Sequence, residues 1–444
     1  MLCRQHKTNL RVGCAPLCIC LLAVLPACGQ PATNNPGVAA QQRMVSLAEA
    51  QRIALEHNWD LLAAANGIHA ATAQKIVARE FPNPALSASS MKINLDNHPS
   101  STPAGNGLWD RSYDTIFAIN QLFEIGGKRR HRQAAAEAGF EAARAQFFDA
   151  RRTLDLAISK AYAAAAQAEE NVRVLMQSAD TLRQEARIAE VRLRAGEIST
   201  ADKSQIEIIA ERFELDAQAA ESAAAQARVA LEVLLGMPQP KGEIILSDRL
   251  ETLSAAVPQP ESNPLGAARP DVVAAEAALR KAEEDLRLQK ANRIPDPTIL
   301  AQYEHEPPDQ PNTAGFGVSF PLPLWNRNKG NILAATAARE QARLGLEKTK
   351  TEAAADTATA RLAYDNAAKR WQNYRDSIRP KSDQIRKTIA YAYEKGGASL
   401  LDLLVAERND NDVRLAAAQA ASDTAVAVAT LKAALNLMQP TTNK

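Results

Sequence analysis

Cysteine is confined to one end of the chain: five are present, at positions 3, 14, 18, 20 and 28, and none follows in 444 residues. That excludes a disulfide framework or a thiolate metal site from the remainder, and the lack of stray thiols suits an oxidising periplasm. An excess of one charge is lacking too, since 52 basic residues stand against 51 acidic ones. Removing Arg4, Lys7 and Arg11 from the formal +1 leaves about −2, so no nucleic acid partner is expected. No nucleotide loop, nucleophile elbow or zinc-type histidine spacing occurs. His57, His69, His98, His131 and His305 are scattered, and His305 between Glu304 and Glu306 reads as part of a solvated loop. Neither catalysis nor a cofactor is expected. Glycine and proline are scarce where it matters: from Lys128 to Ala195 there is no proline and one glycine, Gly139.

The first residues have the parts of an export signal, with basic Arg4, Lys7 and Arg11 before an apolar stretch from Val12 to Val24. That stretch is too short for a comfortable membrane span. Leu25-Pro26-Ala27-Cys28 resembles a bacterial lipobox, which implies a signal peptide over 1–27, lipidation at Cys28 and an anchored extension over 28–45.

What is present is one pattern stated twice. Arg194 to Asp202 aligns with Glu394 to Asp402 at an offset of 200 residues, and Ala230 to Leu235 aligns with Thr430 to Leu435 at the same offset. Phe81-Pro82-Asn83-Pro84 corresponds to Ile294-Pro295-Asp296-Pro297. The repeats are read as 46–239 and 269–439, joined by a proline-rich linker over 240–268 and followed by a tail over 440–444. Each reads as a moderate helix, two strands, a very long helix, a tight turn and a second long helix.

The stretch from Lys128 to Ala195 is dense in strong helix formers, and at 1.5 Å per residue it makes a rod of roughly 100 Å. Val172, Leu175, Ala179, Leu182, Ala186, Ala189 and Leu193 step by three and four, as in a coiled-coil seam. The return helix runs from Lys203 to Leu235 and stops at Gly236-Met237-Pro238. In the second repeat the rods run from Asn331 to Lys395 and from Leu400 to Met438, with a kink expected at Pro380. Rods alone also fit a periplasmic coiled-coil tether or scaffold.

The strands argue for another class. Phe316, Val318, Phe320, Leu322 and Leu324 alternate with small residues and prolines, and Tyr113, Thr115, Phe117, Ile119, Phe123 and Ile125 share one face. Partner strands are expected over 85–95 and 298–305. Strands of this length with one apolar face match those of a membrane barrel. Four of them cannot close one, and open edges are not tolerated in lipid, so the chain needs copies of itself. The run Lys128, Arg129, Arg130, His131, Arg132 after the second strand reads as an interfacial anchor near lipid headgroups.

Phe123-Glu124-Ile125-Gly126-Gly127-Lys128-Arg129 and Phe320-Pro321-Leu322-Pro323-Leu324-Trp325-Asn326-Arg327-Asn328-Lys329-Gly330 lie at equivalent places. With these motifs the chain resembles TolC-like outer-membrane efflux factors, and more nearly the Czc-type and Cus-type members that serve heavy-metal pumps. The resemblance implies a mainly α fold with a small β part. It implies a homotrimer whose twelve strands form one β-barrel, continued by an α-helical barrel in the periplasm. It also implies a periplasmic adaptor protein and an inner-membrane pump of the resistance-nodulation-division class as partners, besides outer-membrane lipid. The tips Gly196, Ile198, Ser199, Gly396, Ala398 and Ser399 would then meet the adaptor. Asp202, Tyr393 and Asp402 match positions linked to a periplasmic gate, although both aspartates equally suit the first turn of a helix. The arginine that the family places in the turn is absent around Gly397 and Ala398. A drug-efflux or secretion channel of the same fold remains the other reading.

Overall fold

In the computed structural model, residues 44–91, 114–255, 269–306 and 310–437 are described. The leader, Cys28, His98 and the tail after 439 lie outside them. The chain begins with β1 (Met44–Val45), α1 (Leu47–His57), α2 (Trp59–Arg79), β2 (Ala85–Met91), β3 (Asp114–Leu122), α3 (Lys128–Arg194) and α4 (Thr200–Leu234). β4 (Ile245–Leu246) and α5 (Leu250–Leu253) follow in the linker. The second half holds α6 (Pro270–Ala291), β5 (Thr298–Glu306), β6 (Gln310–Ser319), α7 (Lys329–Asn373), a π-helical turn (Tyr374–Ile378), α8 (Arg379–Glu394) and α9 (Leu400–Ala434).

The two halves differ at their first helix, which Asn58 divides in the first repeat. Its N–H closes α1 on Ala54 O at 2.9 Å, while its Oδ1 accepts the Leu61 N–H at 3.0 Å and so starts α2. Its Nδ2 also donates to Leu234 O at 2.9 Å, tying the break to the end of α4.

The four strands form an antiparallel sheet in the order β2-β3-β5-β6. Directly opposed residues share a face. The register places Leu86 with Ile119, Phe117 with Tyr303, Ala301 with Phe316 and Ile299 with Val318. That face is apolar and open: Leu86 is 75% exposed and Phe316 87%. The opposite face carries Ser87, Ser89, Asn120, Gln302, Gly315 and Gly317, which are polar or small. The fourth strand stops at Ser319, short of the expected Leu324. Pro321 and Pro323 have no N–H to pair, and Leu324 N–H turns back onto Leu322 O at 2.8 Å.

Each second strand of a pair feeds its rod through a left-handed residue, Gly127 (φ 76°) before α3 and Asn328 (φ 56°) before α7. The basic run at this junction, expected from sequence to anchor near headgroups, is largely engaged within the chain. Lys128 is 7% exposed, with Nζ 2.6 Å from Ile294 O and 2.8 Å from Asp296. His131 meets Glu284 at 2.8 Å, and Arg129 donates to Arg79 O and covers the Phe81 ring at 3.8 Å. Arg132 donates to Ala78 O, Glu80 O and Glu124. Lys128 and His131 thus join the two repeats, Arg129 and Arg132 tie α3 to the end of α2 and to Glu124 within the first, and Arg130 is the exposed one.

A collar packs where β1 pairs parallel to β4. Ile53, Ile158, Tyr162, Leu231, Leu246, Leu250 and Trp371 form its core. Tyr162 OH donates to Val45 O at 2.8 Å and accepts the Asp248 N–H at 3.1 Å. The linker is held at its root by the buried Glu232 carboxylate, which accepts N–H groups from Lys241, Gly242, Glu243 and Ile244.

Candidate hairpin tips and aperture residues

Both tips are built by the same local chemistry. Past α3, Gly196 N–H bonds Leu193 O at 3.0 Å and Glu197 N–H bonds Arg192 O at 2.9 Å. Past α8, Gly396 N–H bonds Tyr393 O at 3.1 Å and Gly397 N–H bonds Ala392 O at 2.7 Å. This paired closure satisfies the last helical carbonyls and requires a left-handed residue, which Gly196 and Gly396 supply at φ 76°. Ser199 and Ser399 then cap the return helices α4 and α9. Asp202 and Asp402 complete a reciprocal box, each accepting the N–H and hydroxyl of its serine through one oxygen. These bonds hold the Asp402 carboxyl below its ordinary range. Ile198 and Ala398 are half-buried, and the glycines and serines of both tips are exposed.

Of the three gate candidates, Asp202 and Asp402 therefore belong to separate helix caps. Tyr393 lies between the hairpins: it is 9% exposed and carries the Arg192 guanidinium over its ring at 5.1 Å. Arg192 also donates to Glu394 O at 3.0 Å. Arg192 thus bridges the end of α3 to the end of α8, a role the sequence reading missed. Its signal was a charge beside the seam of alanine and leucine, where the second repeat has Ala392.

Further along, α8 and α9 enclose charges that the sequence reading also missed. Glu407 and Asp410 are 7% and 3% exposed. Arg386 lies 3.3 Å from Glu407, 3.4 Å from Asp410 and 3.3 Å from Asp383. Arg414 lies 2.7 Å from Asp410 and 3.3 Å from Asp383, and Ser382 donates to Asp410 at 2.9 Å. Burial pushes the Glu407 carboxyl up, against the pull of Arg386. Glu185 of α3 is also raised, first by burial and then by Glu407. Lys387 leads the groups that hold Asp383 low. The signal was faint, because Glu407-Arg408-Asn409-Asp410 reads as a solvated face. Among the described residues no three His, Cys, Asp or Glu side chains converge as a metal site. No described helix is long and apolar enough to cross a membrane.

A sheet with one exposed apolar face, set on long helical hairpins, defines a channel subunit of the outer-membrane type. The chain belongs to the outer membrane efflux protein family, whose model matches residues 39–237 and 264–437. It is similar to the cobalt-zinc-cadmium resistance protein CzcC of Cupriavidus metallidurans, at 25% identity over 380 residues covering 82% of this chain and 83% of that one. It is similar to the probable outer membrane lipoprotein SilC of Salmonella typhimurium, at 24% identity covering 80% and 78%. In fold it matches the outer membrane protein VceC of Vibrio cholerae with a TM-score of 0.70 and 22% identity, covering 88% of this chain and 95% of that one. The protein is an outer-membrane efflux channel component with a TolC-like fold.

Proposed function

We propose that three copies of this chain close into one passive duct that exports heavy-metal cations within a tripartite resistance-nodulation-division system. The observation that carries the duct is the sheet, whose apolar face is exposed and whose outer strands β2 and β6 each have one side open. Open edges cannot persist in lipid. Three such sheets joined edge to edge make a barrel wide enough for water. The metal assignment is supported by the similarity to CzcC.

In this reading residues 1–27 are removed on export, Cys28 carries acyl chains, and 28–45 tether the first repeat (46–239) to the membrane. The linker 240–268 joins it to the second repeat, 269–439. Gly196, Ile198, Ser199, Gly396, Ala398 and Ser399 meet a periplasmic adaptor. Tyr393 with Arg192, and Asp202 and Asp402 at the caps, narrow the aperture, and threefold repetition of the carboxylates favours cations. The pump supplies energy and the duct catalyses nothing.

Deleting the gene and measuring metal and drug tolerance separately tests the assignment. Loss of metal tolerance with drug tolerance intact is expected. Loss of drug tolerance alone would contradict the metal reading, and a soluble elongated monomer in place of a heat-sensitive outer-membrane trimer would sink the duct.

A further inference from the structure

By length and turn chemistry the two return helices are interchangeable. α4 and α9 each have 35 residues, start from the same serine-aspartate box and align at an offset of 200. α3 packs against both. It meets α4 where Arg183 pairs with Glu214, and it meets α9 where Gln167 bonds Gln419 and Ser178 donates to Asn411 at 3.0 Å. As α3 advances from Gln167 to Ser178 its partner on α9 retreats from Gln419 to Asn411, so this contact is antiparallel, as in the hairpin itself. One rod thus carries two return helices of equal length on two faces, and neither helix length nor turn chemistry decides which face takes which.

The seams differ where the turns do not. At the offset of 200, Arg183 and Glu214 of the first hairpin correspond to Asp383 and Arg414 of the second, and both are ion pairs, with the signs exchanged. Leu182 and Ala210 of the apolar seam correspond to Ser382 and Asp410, which are hydrogen-bonded at 2.9 Å. Glu190 and Lys203, paired at 2.5 Å, correspond to Ala390 and Leu403, and Leu403 is 1% exposed. Seating α9 in the place of α4 would set Arg183 against Arg414, Leu182 against Asp410 and Glu190 against Leu403. Seating α4 on α8 would set Asp383 against Glu214. Facing like charges and a carboxylate stranded on leucine each oppose the exchange.

We propose that these reversed rungs are a pairing code, by which each rod accepts the return helix of its own repeat and rejects that of the other repeat, in the same chain or in a second copy. The code fixes the helix order α4-α3-α9-α8. It goes beyond the duct reading and stands on the hairpins alone. Arg183, Glu214, Asp383 and Arg414 are its positioning residues. A duplicated hairpin with identical turns needs such a distinction, because the closure that makes both tips carries no information about partners.

The test is a competition between disulfides in the full-length chain, whose hairpins hold no cysteine. Ala179→Cys, Ala217→Cys and Ala417→Cys are introduced together. Ala179 and Ala217 share the seam of the first hairpin, whereas Ala417, the equivalent of Ala217 on α9, lies in the collar core. Oxidation therefore links position 179 to 217 in the native pairing and to 417 only after an exchange. Two variants break the same ion pair and differ in what they permit. Arg183→Asp repels Glu214 and attracts Arg414, and should raise the share of the 179 to 417 link at least roughly tenfold over the parent. Glu214→Arg leaves Arg183 facing Arg414 in an exchange, and should keep that share at the parent level. Arg183→Lys, which keeps the sign, should behave as the parent. Peptide mass spectrometry reads each link as a fraction of all crosslinked chain, so a lower amount of folded protein does not decide the outcome. Equal shares in Arg183→Asp and Glu214→Arg, or a parent-level share in Arg183→Asp, would overturn the code and leave the pair a merely stabilising one.

Discussion

In the hairpin of α3 and α4, Leu175, Ala179 and Leu182 interlock with Ala210, Phe213 and Ala217. In the hairpin of α8 and α9 the equivalent space is taken by Asp383, Arg386, Glu407, Asp410 and Arg414. Both hairpins turn through the same glycine closure and the same serine-aspartate box, so duplication kept the turn chemistry while the seams diverged. Apolar seams gain from every atom they bury and lose when anything shifts. Buried ion pairs roughly break even against desolvation and contribute direction instead. The first hairpin is thus held by apolar packing and the second by directional ion pairs.

The sharpest way to break this contrast lies at the other ends of the return helices. Gly236 closes α4 at φ 75°, and a Cβ there would stand 2.1 Å from His57 O, a backbone atom. Its counterpart after α9 is Asn436, which adopts φ 53° with a side chain in place. Gly236→Ala should destabilise the protein by about 4 kcal/mol or prevent assembly, since strain and a backbone clash combine. Asn436→Gly should stay within about 0.5 kcal/mol. Thermal unfolding in detergent followed by circular dichroism measures both, and a parent-like melt for Gly236→Ala would show that the first repeat is not locked there.

Within the seams the expected effect is somewhat smaller and opposite in character. Leu182 is 1% exposed, and Leu182→Ala should cost about 3 kcal/mol through the cavity it leaves. Replacing Arg386 and Glu407 together by methionine and leucine should leave the melting temperature unchanged or raised, because a buried pair is often matched by apolar groups of similar volume. Arg386→Ala alone should destabilise, since it strips buried carboxylates of a partner. A large loss from the double replacement would mean that the second hairpin depends on its charges for stability.

These residues also show what a sequence reading can reach. The tips were legible because glycine closure and serine capping are local: Arg194 to Asp202 and Glu394 to Asp402 spell the same turn. The apolar faces of β3 and β6 were legible because period two is visible over a few residues. The end of β6 was misplaced because alternation continues through Phe320, Leu322 and Leu324 although the prolines between them cannot pair. Lys128 to Arg132 read as an interfacial anchor because the groups that satisfy Lys128 and His131, namely Ile294 O, Asp296 and Glu284, come from the other repeat. Glu407 and Asp410 were missed because their partners Arg386 and Ser382 lie on α8, distant in sequence although in the same repeat. A charge run is indistinguishable from a surface until the packing of α8 and α9 is known.

A buried acid in the first hairpin sharpens the comparison through pH. Burial lifts the Asp155 carboxyl from 3.8 to about 6, and Arg151 offsets this only in part. The folded state therefore binds this proton more tightly than the unfolded chain. The ionised group brings no penalty below about pH 4, a growing one as pH rises through 6, and a constant one above. Asp155→Asn should raise stability at pH 7.5 by at most about 3 kcal/mol, with the gain fading between pH 6 and 4. Unfolding at several pH values would show it, and a pH-independent difference would mean that the carboxylate is not the source.

The smallest expected effect tests whether the two tips are as alike as their turns. Ser399 donates its hydroxyl at 2.6 Å and its N–H at 3.0 Å to Asp402, and these bonds depress its titration. A depressed carboxyl stabilises the fold above its unfolded pKa, and the contribution is lost as pH falls below about 4. The protection of the amides at Ser399 and in the first turn of α9, taken relative to the unfolded chain at the same pH, should therefore fall on acidification below that pH. Asp402→Asn should abolish the pH step while keeping most of the cap, because an amide oxygen still accepts the serine donors. The box at Ser199 and Asp202 has the same geometry, with the hydroxyl at 2.8 Å and the N–H at 3.1 Å. A step at both tips would make the caps interchangeable. A step at Ser399 alone would place the pH-sensitive tip on the hairpin whose seam is already ionic, so that turn and seam would respond to acid together.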